Sequence, residues 1–220
     1  MSYFDIFVAF MDKWQTLITG SLAFGAAFFA LRPVYKQLSL MRAQNNVMVR
    51  STIGEMILQL DAHREGVHKI VAKRLTDMQS NLYHFDNHGV PNSVCDWAND
   101  RHNDFGIVQA SLKALFITSH DVQSIEGQKA ELLFAVNQLE ETLWVIYRPE
   151  YADRNPEECN WTDEEIAAAN ASSSEAVNEL ESKTAGVSAA THQLYAAYET
   201  QRAALVRRLR VIDDRLLAQP

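Results

Sequence analysis

Three histidines, His84, His88 and His102, fall close together in the chain with Asp86, Cys95 and Asp104 nearby. His84 and His88 are four residues apart, so on a continuous helix their rings would share a face and could bring two nitrogens to one metal ion. The alternative this opens is a metal-binding enzyme with its site in the 84–104 stretch. Against it, Asn87 and Gly89 read as the point where the helix frays, and neither a paired CxxC nor an HExxH accompanies the histidines. Their default assignment is to a polar loop. Glu65 and His68 form one Glu-x-x-His, whereas a di-iron bundle needs that pair twice with two further inward carboxylates. With one copy present, Asp61, His63 and Glu65 are read as a solvated helix face. The sequence holds no Gly-rich phosphate loop, G-x-S-x-G element or kinase signature. No catalytic or cofactor-binding residue is assigned, and no cofactor is expected.

The remaining polar and aromatic features have structural readings. Trp97, Trp144 and Trp161 are expected to pack at the ends of a bundle, with a partner-binding surface as the alternative. Ser172-Ser173-Ser174 lies in an Ala-rich stretch and reads as a surface patch. Asn160-Trp161-Thr162 matches a glycosylation sequon, but Thr162-Asp163-Glu164-Glu165 is also a capping box, in which the Thr hydroxyl and the Glu three residues on satisfy free helix N–H groups. Cys95 and Cys159 lack metal-type spacing and are read as two unpaired buried thiols; a single disulfide between them is the alternative. The net charge of -8 argues against nucleic acid as a partner, since binding it relies on neutralising phosphates.

These residues must be carried by helices. Gly and Pro are scarce, at 8 and 5 in 220 residues, and apolar positions recur at helical spacing. Ile53, Ile57, Leu60, Val67, Val71, Leu75, Met78 and Leu82 form one stripe. Pro33 suits the first turn of a new helix or a kink, and an unbroken helix from there to about His84 would extend roughly 75 Å. Gly54 and Gly66 are its weak points. Breakers between Phe85 and Asn99 predict a loop. A shorter helix carries Phe105, Val108, Leu112, Leu115 and Phe116 on one face. Another, from Ser124 to Tyr147, uses Leu132, Val136, Leu139, Leu143 and Ile146 and is stopped by Arg148-Pro149, with an irregular stretch on to Trp161. The last, about Thr162 to Ala218, has a seam of Val177, Leu180, Thr184, Val187, Thr191, Leu194, Tyr198, Gln201, Leu205, Arg208, Ile212 and Leu216 in steps of three and four, as in a coiled coil. Its polar members favour packing into a bundle over an autonomous zipper.

One segment has a different character. Leu17 to Leu31 carries no charge, and from Trp14 to Val34 there are about twenty residues, enough to cross a hydrocarbon core of about 30 Å as a helix. It is the one stretch long and apolar enough to span, which excludes a polytopic transporter. Asp5, Asp12 and Lys13 precede it. Arg32, Lys36, Arg42 and Arg50 follow, with no acidic residue before Glu55, so the N-terminus is expected outside and the bulk of the chain in the cytoplasm. Trp14, Arg32, Tyr35 and Lys36 are the expected membrane-interface residues, and residues 1–13 a short interfacial helix. A cleaved signal peptide is the competing reading, on the small residues Gly25-Ala26-Ala27. The preceding region is long and not basic, which disfavours it. Ser21 and Gly25, spaced by four, are candidates for close packing between two spans and hence for a homo-oligomer.

The stretch Lys13-Trp14-Gln15-Thr16-Leu17-Ile18-Thr19-Gly20, the apolar run after it, Arg32 and then Lys36-Gln37-Leu38 resembles the start of small uncharacterised inner-membrane proteins of bacteria, mostly proteobacteria. The resemblance covers about the first fifth of the chain. It implies a single-pass anchor bearing a cytoplasmic helical domain in the bacterial inner membrane, and it brings no catalytic residues. The expectation is an all-α protein with three parts: residues 1–13, a transmembrane helix over 14–34, and an elongated antiparallel bundle of two long and two shorter helices over 35–220. Its partners would be membrane lipid, a second copy, or another protein, and it would act as a scaffold or sensor adaptor; a lysis or pore-forming role is a further alternative. In such a rod Arg207, Arg208, Arg210 and Arg215 return near Arg32, Lys36, Arg42 and Arg50 as a basic collar, with Glu150, Asp153, Glu157, Glu158, Asp163, Glu164 and Glu165 at the far end.

Overall fold

The structure, a computed structural model, describes residues 3–91, 93–117 and 123–217, and all of its regular structure is helical. Five helices follow in order: α1 (Tyr3–His88), α2 (Val94–Ile117), α3 (Gln123–Arg154), α4 (Pro156–Cys159) and α5 (Asp163–Leu217). Expectations for Met1, Ser2, Asn92 and Ala218 onward lie outside the described residues. The chain forms two compact units, Met1–Gly54 with Arg208–Pro220, and Glu55–Arg207.

The Glu55–Arg207 unit is an antiparallel four-helix bundle, in agreement with the all-α expectation. Each helix turns its apolar stripe inward: Leu60, Val67, Val71, Leu75 and Met78 from α1, Phe105, Val108 and Leu112 from α2, Leu132, Val136, Leu139, Leu143 and Ile146 from α3, and Leu180, Val187, Leu194, Tyr198 and Leu205 from α5. Burying each large apolar side chain contributes about 1.5–3 kcal/mol. Side-chain contacts fix the directions. Asp61 pairs with Arg202 (2.9 Å), Arg64 with Glu199, and Tyr195 meets His68 (3.5 Å), so each step up α1 is matched by an equal step down α5. Phe85 packs edge-on against Trp97, and Arg74 lies 3.9 Å from Asp104, which sets α2 against α1 in the opposite direction. Gln109 donates to Asn137 (2.7 Å) and Arg154 pairs with Asp96 (2.7 Å), which does the same for α2 and α3. Gly66, expected to weaken α1, instead seats Leu115 of α2: a Cβ there would lie 3.1 Å from a Leu115 methyl.

In the unit of Met1–Gly54 with Arg208–Pro220, Arg50 pairs with Asp213 at 2.7 Å. Ala43 and Asn46 are half-buried and Ile53 is buried on the same side of α1, while the side chains described between residues 3 and 42 are exposed apart from half-buried Gly25.

Four boundaries differ from expectation. α1 continues through Pro33 without a new helix start, although Pro33 has no N–H to donate to Phe29. The 85–99 loop contracts to 89–93. α1 persists through His88, with Asn87 donating to the Tyr83 carbonyl, and ends at Gly89, whose φ of +82° is the left-handed turn glycine permits. α2 then begins at Val94. Arg148-Pro149 does not stop α3, which continues to Arg154 because Tyr147 and Ala152 on either side are buried and Arg154 reaches Asp96 and Glu150. The stretch before Trp161, read as irregular, holds the short α4, closed by Asn160 at φ 42°.

Candidate functional site

The histidines do not converge. His84 and His88 stack along the exposed end of α1, with ring centroids 5.9 Å apart. His102 is on α2 and packs toward α3: its Nδ1 lies 3.2 Å from the Glu140 carbonyl, to which it donates, and its ring rests on Trp144. Asp104 is taken by Arg101 at 3.0 Å. Among the described residues no group of three or more His, Cys, Asp or Glu side chains is arranged to hold a metal. Cys95 and Cys159 are free and half-buried, not fully buried as expected. Burial, then the nearby Glu150 carboxylate, push the Cys95 thiol up, and its S–H donates to the Ile146 carbonyl at 3.6 Å. A thiol held protonated in this way is a poor nucleophile.

A polar cluster that sequence reading did not identify lies inside the bundle. Lys129 of α3 is 2% exposed. Its ammonium stands 3.5 Å from the Glu126 carboxylate and 5.0 Å from the centre of the Phe116 ring of α2. Desolvation holds Lys129 below the usual lysine range. On α1, burial and the Lys129 charge both lower His63. On α5, Tyr198 is buried and pushed up to about 12, by desolvation first and by Glu126 second. Its hydroxyl has no hydrogen-bond partner among the described residues, and neither does that of Thr184. The signal was present in the spacing: Ile125, Lys129, Leu132, Val136 and Leu139 step by four and three, so Lys129 occupies a seam position. The cluster couples all four helices of the bundle electrostatically, and it can carry a pH dependence of stability.

Trp97 lies in the first turn of α2 and Trp161 just before α5, whereas Trp144 lies well inside α3. Trp144 is half-buried among His102, Tyr147 and Tyr151. Trp161 lies under the Arg148 guanidinium at 4.8 Å and helps wall a cleft of about 240 Å³ with Val145, Glu165, Ala168 and Ser172. The capping box forms as read, with Glu165 accepting from the Thr162 backbone N–H at 2.8 Å and the Thr162 hydroxyl accepting from the Glu165 N–H at 3.3 Å. The Thr162 N–H, and then the Thr162 hydroxyl donating to the same carboxylate at 3.0 Å, hold the Glu165 carboxyl below its ordinary value.

The largest uncovered feature is α1 itself. Phe7, Phe10, Leu17, Leu22, Phe24, Phe28, Phe29, Leu31 and Val34 are each about half or more exposed, and no residue described in the span-length apolar window is buried. Trp14, Arg32, Tyr35 and Lys36 flank it on the surface. Ser21 turns its hydroxyl back onto the Leu17 carbonyl at 2.7 Å, and a Cβ added at Gly25 would meet nothing within 4 Å, so neither packs on another helix of this chain. In comparisons with protein-family models, curated proteins and solved structures, none matches this chain.

Proposed function

We propose that this is a single-pass membrane protein whose helical part binds partners or self-associates, as a scaffold or sensor adaptor, without catalysing a reaction. One observation carries the reading: a helix long and apolar enough to cross a bilayer has none of its apolar window buried by the described residues. An exposed apolar surface of this extent is far larger than a soluble monomer tolerates, and lipid is the solvent that suits it. Trp14 and Tyr35 lie at the two interfaces, and Arg32 and Lys36 anchor the cytoplasmic edge in a bacterial inner membrane. Arg32, Lys36 and Arg42 favour anionic headgroups, at about 1 kcal/mol for each that reaches the surface. A binding role for the helical bundle is supported by His102 and Cys95, which are engaged in hydrogen bonds within the fold.

The test is fractionation of cells expressing the full chain, with an alkaline carbonate wash, alongside reporters fused at each end. The protein should stay in the washed membranes, with the C-terminal reporter active only in the cytoplasm. Full-length chain in the soluble fraction, or a C-terminal reporter active outside, would overturn the reading.

A further inference from the structure

We propose that two copies of this chain pair in parallel along α1 just beyond the bilayer, through a stripe formed by Leu38, Met41, Asn45 and Met48. The inference rests on the membrane-anchored reading, and it names the partner as a second copy.

The spacing carries it first. Val34, Leu38, Met41, Asn45, Met48 and Thr52 step alternately by four and three, the period of a parallel two-stranded coiled coil, with Leu38, Asn45 and Thr52 at a and Val34, Met41 and Met48 at d. All six are exposed, Met41 and Met48 by 64% and 69%. The opposite face is already taken: Ala43, Asn46, Arg50 and Ile53 occupy b and f, where Arg50 meets Asp213 and burial sets in. The α5 segment therefore lies on the outside of such a pair and leaves the seam clear.

Depth excludes lipid as the cover. With hydrocarbon ending near Val34, a rise of 1.5 Å per residue puts Met41 about 10 Å and Met48 about 21 Å beyond it. The headgroup layer is only about 5–8 Å thick, so these two methionines face water.

Charge favours a like copy. The segment from Arg32 to Arg50 is basic without an acidic residue, yet Lys36 and Arg50 fall at f, turned away from the seam. Arg42 flanks it at e, where a parallel partner presents Gln37, and Val49 would meet Gln44. No like-charged pair arises. A single Asn at a is the residue that fixes register and two-strandedness at some cost in stability. The aqueous seam is too short to hold two chains from bulk solution. Confinement of both spans to one membrane, pointing the same way, supplies the effective concentration that makes the contact sufficient.

The test uses the full chain in native membranes with Cys95→Ser and Cys159→Ser. Single cysteines are introduced by Met41→Cys or Met48→Cys, and for comparison by Leu40→Cys or Val47→Cys, which are 56% and 55% exposed on the c positions. Under mild oxidation, both seam positions should give disulfide dimer at least tenfold above both comparison positions. Dimer at Met41→Cys and Met48→Cys alike identifies the parallel arrangement, because an antiparallel pair cannot bring both residues to their own copies. In an Asn45→Cys reporter, adding Met41→Lys and Met48→Lys should lower dimer about tenfold. Equal yield at all four positions, or none at the seam, overturns the pairing while carbonate-resistant protein in the same membranes leaves the anchor standing. Protein released by carbonate overturns the anchor, and the parallel geometry with it.

Discussion

Replacing Lys129 by methionine should stabilise the Glu55–Arg207 unit, and the gain should shrink as the solution becomes alkaline. The Lys129 side chain is 3% exposed while its partner Glu126 remains 58% exposed, so this pair puts one charge inside the bundle and leaves the other in water. Desolvation lowers Lys129 from the usual 10.5. Between its lowered value and 10.5 the unfolded chain binds a proton that the folded chain does not, so stability rises with pH through that window. Below the window both states carry the proton, and the folded state bears the cost of desolvating it. Methionine matches the length of the lysine stem without its charge. Apolar replacements of buried ion pairs gain roughly 1–4 kcal/mol, and an exposed carboxylate loses little with its partner. A gain of about 2 kcal/mol at pH 7 is expected. With a urea dependence of about 2 kcal/mol per molar, the midpoint moves up by about 1 M. The assay is urea unfolding of the full chain in mild detergent, followed by tryptophan fluorescence, at pH 7 and at pH 10.5, where the gain should be half or less. His63, lowered by burial and then by Lys129, should titrate closer to 6.5 in the Lys129→Met protein, as read by NMR. A lower midpoint at pH 7, or a gain that does not change with pH, would refute this reasoning.

Tyr198→Phe removes a buried hydroxyl that has no partner among the described residues and should stabilise the bundle by about 1 kcal/mol. Because Tyr198 is raised from 10.0 to about 12, wild-type stability should fall as pH rises through that interval, so here the gain grows with pH, opposite in sign to Lys129→Met; urea midpoints at pH 9 and pH 11 decide it. Thr162→Ala removes the cap of α5 and should cost about 1 kcal/mol in thermal unfolding, with the Glu165 carboxyl rising toward 4.5 in an NMR titration. A double-mutant cycle on Asp61 and Arg202, both about two-fifths exposed, should return a coupling of only about 0.5 kcal/mol, because the rung sets register more than stability; a coupling above 2 kcal/mol would contradict that.

The bundle was legible because apolar residues repeat with helical spacing for many turns. Leu132, Val136, Leu139, Leu143 and Ile146, read as one face of a helix, are all buried. Local breaker rules served less well. Pro149 reads as a stop, and its ring forfeits a hydrogen bond at a cost of about 3 kcal/mol, yet α3 crosses it because Tyr147 and Ala152 bury themselves on both sides and Arg154 reaches back to α2. Phe85 reads as loop but is helical, held against Trp97 at 4.9 Å. In each place tertiary contacts, which a local window does not contain, outweigh propensity.

The misses at the candidate site have a different origin. A stripe traced by apolarity ends where the first polar residue interrupts it, so by apolarity the α3 seam begins at Leu132 and omits Lys129 one step before it. A stripe traced by spacing continues through that residue and marks it as buried, as Lys129 is. The α5 seam was traced by spacing, and its polar members Thr184 and Thr191 were placed inward correctly, whereas Arg208 is exposed. Position in the repeat therefore governs burial only where a neighbouring helix lies opposite it. The same distinction separates the two faces of α1 beyond Val34. One face meets Asp213 and gains burial at Ala43, Asn46 and Ile53; the other keeps an equally regular repeat at Leu38, Met41, Asn45 and Met48 that stays exposed among the described residues. That exposed repeat is the face to which the proposed second copy is assigned.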